Sequence, residues 1–187
     1  MYAPPAEKGN GGHAMKTLYV ILLVFVSTVV SAPGQDSASS QPADDKVVFR
    51  DPCTLRLRID KKHMYVEDFG KIPYVQDGNV YLFAGEEFGL TLDIQNGSVR
   101  SVTYQPDVKK ADVRLKFTQE KVMMLLVIEN HSAEKLFVDA LMTVPNKKGI
   151  FKTSILPIMP GGMAGYESWP HPIVQLVLRN IRLQQRP

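Results

Sequence analysis

The stretch that decides the fold is LTLDIQNGSVRSVTYQP, residues 90–106. Apolar and polar residues alternate through its first six positions, as they do in a strand with one buried face. Asn96-Gly97 follows, a pair that favours the two-residue turn of a β-hairpin because both residues tolerate positive φ. A second strand-like run then returns as far as Pro106, which cannot donate a ladder hydrogen bond. The stretch therefore predicts an antiparallel hairpin.

The same period of two recurs on both sides of this hairpin and predicts an all-β chain. The run VMMLLVI at 122–128 is continuously apolar, which predicts a central strand covered on both faces. The run IVQLVLRNIRL at 173–183 fits a strand or a helix, and its β-branched content favours a strand. The other strand-like runs are 54–60, 79–83, 113–117, 136–144 and 150–159.

About eight or nine short strands, separated by turn residues every 8 to 12 positions or so, are typical of a two-sheet sandwich. We therefore predict a single β-sandwich domain of immunoglobulin-like type over residues 47–187. Residues 33–46, rich in Ser, Ala, Pro and Asp, cannot bury apolar surface and are predicted to be a disordered leader.

The N-terminal region predicts export. Residues 18–30 carry no charge, follow Lys16, and precede small residues that end at Ala32, where a signal peptidase would cut. A membrane-spanning helix takes about 20 apolar residues, so this run is too short, although an uncleaved anchor is the alternative. We expect residues 1–32 to be an N-terminal extension and signal peptide, with Met1 or Met15 as the start. The expected location is secreted or periplasmic, without a stable membrane anchor after cleavage.

Charge and cysteine content narrow the possible partners. The chain holds 22 basic and 19 acidic residues, a net charge of +3, which is too balanced to predict a nucleic-acid partner. Three lysine pairs, at 61–62, 109–110 and 147–148, lie in turn-like stretches and are typical of solvated hairpin tips. The one cysteine, Cys53, excludes an intramolecular disulfide, and we expect it to be buried as a small hydrophobe. Pairing with another chain is the alternative for Cys53.

Two stretches of the C-terminal half, LLVIENHSAEKLFVDALMTVP and KTSILPIMPGGMAGYESWPHPIVQLVLRNIRL, carry a family resemblance. Across residues 123–183 the chain resembles small secreted bacterial β-sandwich proteins of unknown function. The resemblance implies a compartment and a fold, and it implies no activity.

Motifs for enzyme chemistry are missing from the sequence. It has no G-x-S-x-G elbow, no H-E-x-x-H and no phosphate-binding loop. Ser168, beside Glu167 and near His171, is a local grouping that a small secreted hydrolase would use, but a rigid loop explains it equally well. We predict no enzymatic activity and no catalytic residue.

Methionines offer a second chemistry. Thioether and imidazole groups suit Cu(I), so a periplasmic Cu(I)-binding chaperone is an alternative function. However, three of the methionines lie inside apolar strand runs, where methionine usually fills gaps in a core. We therefore predict no metal and no cofactor. The residues concerned are His63, Met64, Met123, Met124, Met142, Met159 and Met163.

The segment GGMAGYESWPHP, residues 161–172, has the most distinctive local composition. Tyr166 and Trp169 offer amphipathic surface of the kind enriched at interfaces, and with Glu167 and His171 they would form a recognition loop. In the other interpretation, Trp169 plugs one end of the sandwich and the prolines orient the last strand. The function predicted from the sequence is a non-catalytic binding or assembly module, with a protein or another envelope component as partner.

Overall fold

Strands dominate residues 47–184, the part of the chain that the structure, a computed structural model, describes. The predicted signal peptide and leader lie outside the described residues. One short 3-10 helix, Val108–Lys110, follows the eighth strand. The strands are β1 (Phe49–Arg50), β2 (Cys53–Arg58), β3 (Met64–Phe69), β4 (Ile72–Pro73), β5 (Val75–Gln76), β6 (Asn79–Leu82), β7 (Glu86–Gln95), β8 (Ser98–Gln105), β9 (Val113–Glu120), β10 (Met123–Asn130), β11 (Leu136–Thr143), β12 (Phe151–Thr153), β13 (Ala164–Trp169) and β14 (Gln175–Leu183).

The strands form two five-stranded antiparallel sheets, which confirms the predicted all-β class. The first sheet has the order β13-β10-β9-β7-β8 and the second has the order β12-β11-β14-β6-β5. Two smaller sheets, β1-β4 and β2-β3, have two strands each. Residues 47–184 contain no helix with the length and apolar character that crossing a membrane requires.

The hairpin predicted at residues 90–106 is confirmed. β7 and β8 pair antiparallel, with Gln95 opposite Ser98 across the turn. Asn96 and Gly97 both have positive φ, 51° and 72°, as the predicted two-residue turn requires. A β-bulge interrupts the register between Asp93 and Ile94.

Side chains from both five-stranded sheets form one hydrophobic cluster. In β10 the buried apolar residues are Met124, Leu126 and Ile128, whereas Leu125 and Val127 are only half-buried. The predicted burial of this run on both faces is therefore wrong, because only its inner face meets the other sheet. Its continuous apolar character leaves apolar side chains on the outer face of the first sheet.

The last two apolar runs have different outcomes. The strand predicted within 173–183 is confirmed as β14. In the predicted strand at 150–159, only Phe151–Thr153 is regular, and pairing resumes at Ile158, which bonds to Leu136 in both directions at 3.0 and 2.9 Å. Pro157 has no N–H to donate to a ladder, which is a local reason for the interruption.

The β2–β3 ribbon carries a second cluster and the exposed cysteine. Leu55 and Leu57 pack in a smaller hydrophobic cluster that includes Phe83. Cys53 begins β2 opposite Phe69 and is exposed with a free thiol, so the predicted burial is wrong. Strand alternation places Cys53 on the same face as Leu55 and Leu57, but it lies beyond the end of their cluster.

A buried arginine joins β1 to the rest of the fold. Arg50 is 5% exposed, and its Nε donates to Glu86 Oε1 at 2.7 Å. Its terminal nitrogens donate to the carbonyl oxygens of Pro73 and Tyr81, both at 2.8 Å. The guanidinium also lies 4.2 Å from the centroid of the Tyr74 ring, a cation–π geometry. A buried charge is tolerated here because its donors are satisfied.

The three lysine pairs are exposed, as predicted for solvated tips. The pair at 61–62 lies in the bend between β2 and β3, the pair at 147–148 follows the turn after β11, and the pair at 109–110 ends the 3-10 helix.

Candidate functional site

The predicted recognition loop at residues 161–172 contains a strand. β13 pairs antiparallel with β10, with Tyr166 opposite Val127, and it forms an edge of the first sheet. Gly161 and Gly162 lead into it with φ of 84° and 76°. A Cβ on Gly162 would lie 2.9 Å from the His131 ring, so the close approach of the chain requires a glycine there. The interpretation of the whole segment as a loop is therefore corrected.

Trp169 is buried at the end of β13. Its exposed fraction is 7%, and its ring meets Phe117 edge to face at a centroid distance of 6.3 Å. The indole Nε1 donates to Thr153 Oγ1 of β12 at 2.8 Å. Because β12 is an edge of the second sheet, Trp169 connects the neighbouring edges of the two sheets. This position matches the interpretation of Trp169 as a plug rather than as a displayed residue.

Glu167 and Tyr166 have opposite roles on the same strand. The half-buried Glu167 accepts a hydrogen bond from the backbone N–H of Leu156 at 2.6 Å, which fixes the irregular segment after β12 against β13. Tyr166 is 66% exposed. The structure thus leaves Tyr166 displayed and commits the Glu167 carboxylate to the backbone.

Asn130 holds the chain between β12 and β13. It is fully buried, and its side-chain nitrogen donates to the carbonyl of Ile158 at 3.3 Å. Its own carbonyl accepts from the Gly162 N–H at 2.7 Å. Both ends of the segment from Ile158 to Gly162 therefore attach to one buried residue.

The residues of the hydrolase alternative, Ser168, Glu167 and His171, are not joined to one another by hydrogen bonds in the described part of the chain. His171 is half-buried, and its Nδ1 lies 3.3 Å from the carbonyl oxygen of Pro172. Ser168 is exposed on the strand position next to Trp169. Among the described residues, no hydrogen bond joins Ser168 to His171 or to a carboxylate.

The residues of the copper alternative differ in their exposure to solvent. His63 is exposed, and its Nδ1 lies 2.7 Å from Asp60 Oδ2, a hydrogen bond that is the main cause lowering the pKa of Asp60 to about 2. Met64 and Met163 are exposed, whereas Met124 is fully buried in the core. Across residues 47–184, no group of three His, Cys, Asp or Glu side chains is arranged to hold a metal ion.

Four apolar side chains on β13 and on the chain that leads into it, residues 156–166, are exposed. We name them the edge patch. Sequence reasoning missed Leu156, because the predicted strand at 150–159 did not anticipate the break near Pro157, and it named Met159 and Met163 only as residues of the copper alternative. Tyr166 was identified from the glycine-flanked aromatic pair. The edge patch consists of Leu156 (71% exposed), Met159 (47%), Met163 (66%) and Tyr166 (66%).

No protein-family model, curated protein or solved structure matches the chain. The resemblance to small secreted bacterial β-sandwich proteins therefore stays a prediction, and the edge patch is interpreted from its own geometry.

Proposed function

We propose that the protein is a secreted or periplasmic β-sandwich of immunoglobulin-like type that acts as a non-catalytic binding or assembly module. Its partner is a protein or another envelope component, and it uses no cofactor. The observation that carries this proposal is the edge patch, four exposed apolar side chains beside β13, which among residues 47–184 has no paired strand on its outer side.

An open sheet edge is a binding element because its backbone groups lack a neighbour on one side. Within the described part of the chain, β13 pairs with β10 alone and β12 pairs with β11 alone. Such an edge accepts an extended segment from another chain, whose backbone supplies hydrogen bonds and whose alternate side chains supply specificity. Methionine and tyrosine are enriched in the cores of protein interfaces, and both occur in the edge patch.

Two tethers make this surface preorganised. The Glu167–Leu156 hydrogen bond and the Trp169–Thr153 hydrogen bond connect the chain around β12 to β13. The backbone of Leu156 is therefore held at Glu167, the residue next to Tyr166 on β13, before any partner binds. A surface that is ordered in advance loses less conformational entropy on binding.

Site-specific photo-crosslinking tests this function in the cells that produce the protein. A photo-reactive residue replaces Tyr166 in one variant and Ile94, which is 41% exposed on β7, in a matched control. We expect a discrete adduct from position 166 in the envelope or secreted fraction, and none from position 94.

Adducts of equal yield from both positions, or no adduct at 166 while the protein is folded and exported, would contradict the proposal. Turnover of a substrate that a single substitution abolishes without unfolding the protein would contradict its non-catalytic part.

A further inference from the structure

A cavity on the second five-stranded sheet differs in chemistry from the edge patch. Its volume is about 440 Å³, and β11, β12, β14 and the residues after β12 line it. Its lining includes the cations Lys152, Arg179 and Arg182 and one carboxylate, that of Asp139. We propose that this cavity binds an oxyanion, a carboxylate or a phosphate, that is attached to an apolar group. The inference is independent of the proposed function.

Arg179 is the residue that points to an anion. It lies directly opposite Asp139 in the register of β14 and β11. The hydrogen bonds of Asp139 go to other residues, since Oδ1 accepts from Arg182 at 3.0 Å and Oδ2 accepts from Asn180 at 2.8 Å. The Nε of Arg179 is buried and has no hydrogen-bond partner among the described residues. A buried donor without an acceptor is costly, and a shift of the guanidinium toward the cavity would let a ligand oxygen relieve that cost.

An irregularity in β14 brings the two arginines to one wall. Arg179 and Arg182 are three residues apart, so a regular strand would direct them to opposite faces. The register between β11 and β14 shifts between Phe137 and Asp139, and Asn180 on β14 has a positive φ of 51°. β-Bulges redirect side chains in this way and are frequent next to functional sites. Both arginines consequently line the same cavity.

The remaining lining defines the other half of the ligand. Phe137, Leu141 and Ile155 contribute apolar surface. The guanidinium of Arg182 lies 5.9 Å from the centroid of the Phe137 ring, which keeps this arginine against the wall. A planar guanidinium matches the two oxygens of a carboxylate or phosphate, and Lys152 adds a point charge. The ligand class is therefore an amphipathic anion rather than an inorganic ion alone.

Titration of the purified protein, followed by ¹⁵N NMR, tests the site through the Nε–H signal of Arg179. The probes are benzoate, phenyl phosphate and the neutral analogue benzamide. We expect benzoate, phenyl phosphate or both to shift this signal together with the backbone amides of residues 139–141 and 152–154, and benzamide to leave them unchanged. A response to only one anion identifies the oxyanion. No shift with either anion, or equal shifts with benzamide, would overturn the proposal.

Two variants assign the binding to the cavity. Arg179→Gln removes the charged donor, and since charge-assisted hydrogen bonds are the strong ones we expect binding to weaken about tenfold or more. Lys152→Met, at an exposed edge position, should weaken it about threefold, given the small energies of exposed charge pairs. The control Arg100→Gln changes an exposed arginine of β8 and should have no effect. If Arg179→Gln fails to fold, Lys152→Met decides, and wild-type affinity in that variant would refute the site.

Discussion

The two edge strands of the first five-stranded sheet, β8 and β13, differ in the features that permit or discourage pairing with a further strand. At one edge, β8 is polar along much of its length, carries the exposed Arg100, and pairs with β7 across a bulge. At the other edge, β13 displays Tyr166, with the rest of the edge patch beside it. Charges and bulges are features by which natural sheets discourage further strand addition. Within residues 47–184, one edge of this sheet, the protected edge, therefore has features that discourage strand addition and the other, which we call the open edge, displays apolar side chains.

The edges also differ in what holds them. β8 is held by its own hairpin, through a turn of two residues. β13 has no hairpin partner, and it relies on pairing with β10 and on the contacts of Trp169 and Glu167 with the chain around β12. The stability of the open edge is therefore concentrated in a few long-range contacts.

The largest expected effect comes from Trp169→Ala, which removes the packing on Phe117 and the hydrogen bond to Thr153. Truncation of a buried aromatic residue of this kind costs about 3–5 kcal/mol in the free energy of unfolding. Val102→Ala on β8 removes two methyl groups and should cost only about 2 kcal/mol. Urea unfolding of both variants measures the two losses in the free energy of unfolding. Equal losses would contradict the view that β13 depends more than β8 on a single side chain.

The turn of the protected edge gives the next effect. Gly97 has φ of 72° and no atom lies within 4 Å of a Cβ built there, so Gly97→Ala strains only the backbone. We expect a loss of about 1–2 kcal/mol, measured by thermal or urea unfolding. Gly70→Ala is the control, because Gly70 has the same open space without positive φ. A similar loss at Gly70 would contradict the assignment to backbone conformation.

Glu167→Ala removes the acceptor for the Leu156 N–H at the open edge. A hydrogen bond of this kind contributes about 1 kcal/mol, so global stability should fall by that amount. Hydrogen exchange at the Leu156 amide should accelerate locally, since the segment after β12 loses its tether. Glu120→Ala, a change of an exposed carboxylate on β9, should leave that exchange rate unchanged. Unaltered exchange in Glu167→Ala would refute the tether.

The smallest effect on stability, and the most direct on binding, is expected for Tyr166→Lys. This change gives the open edge a charge like that of Arg100 on β8. Surface substitutions of this type alter stability by less than about 0.5 kcal/mol. We expect unchanged unfolding together with loss of the adduct formed by a photo-reactive residue at Met163. Persistence of that adduct would mean that partner binding does not use the open edge.

Local signals predicted the protected half of the sheet better than the open half. Asn96-Gly97 and the alternation before it predicted β7 and β8, because turn chemistry and side-chain period act within a few residues. β13 escaped prediction because Gly165 weakens strand propensity, and its structure depends on pairing with β10. The wrong prediction that Cys53 is buried has a similar origin. Alternation with a period of two predicts which face a side chain is on, but it does not predict where the hydrophobic cluster ends.

The candidate sites were predicted to different extents. Tyr166 was identified from composition, although its strand was not. Leu156 and Met159 were assigned to a regular strand, and only the tertiary contacts of Ile158 and Asn130 show where that strand is interrupted. Arg179 carried no local signal, because its role depends on a bulge opposite Asp139 and on hydrogen bonds that occupy that carboxylate.

The hydrogen bonds of the buried Arg50 have a mechanical consequence. A tension applied through the chain ahead of residue 47 reaches the described fold at β1, which has only two residues. Arg50 makes five hydrogen bonds there, two of them to Glu86, the first residue of β7. Because β7 is an interior strand, the load passes into the body of the sheet. A pull on β1 is thus transmitted through Arg50 to an interior strand before it reaches the edge strand β13.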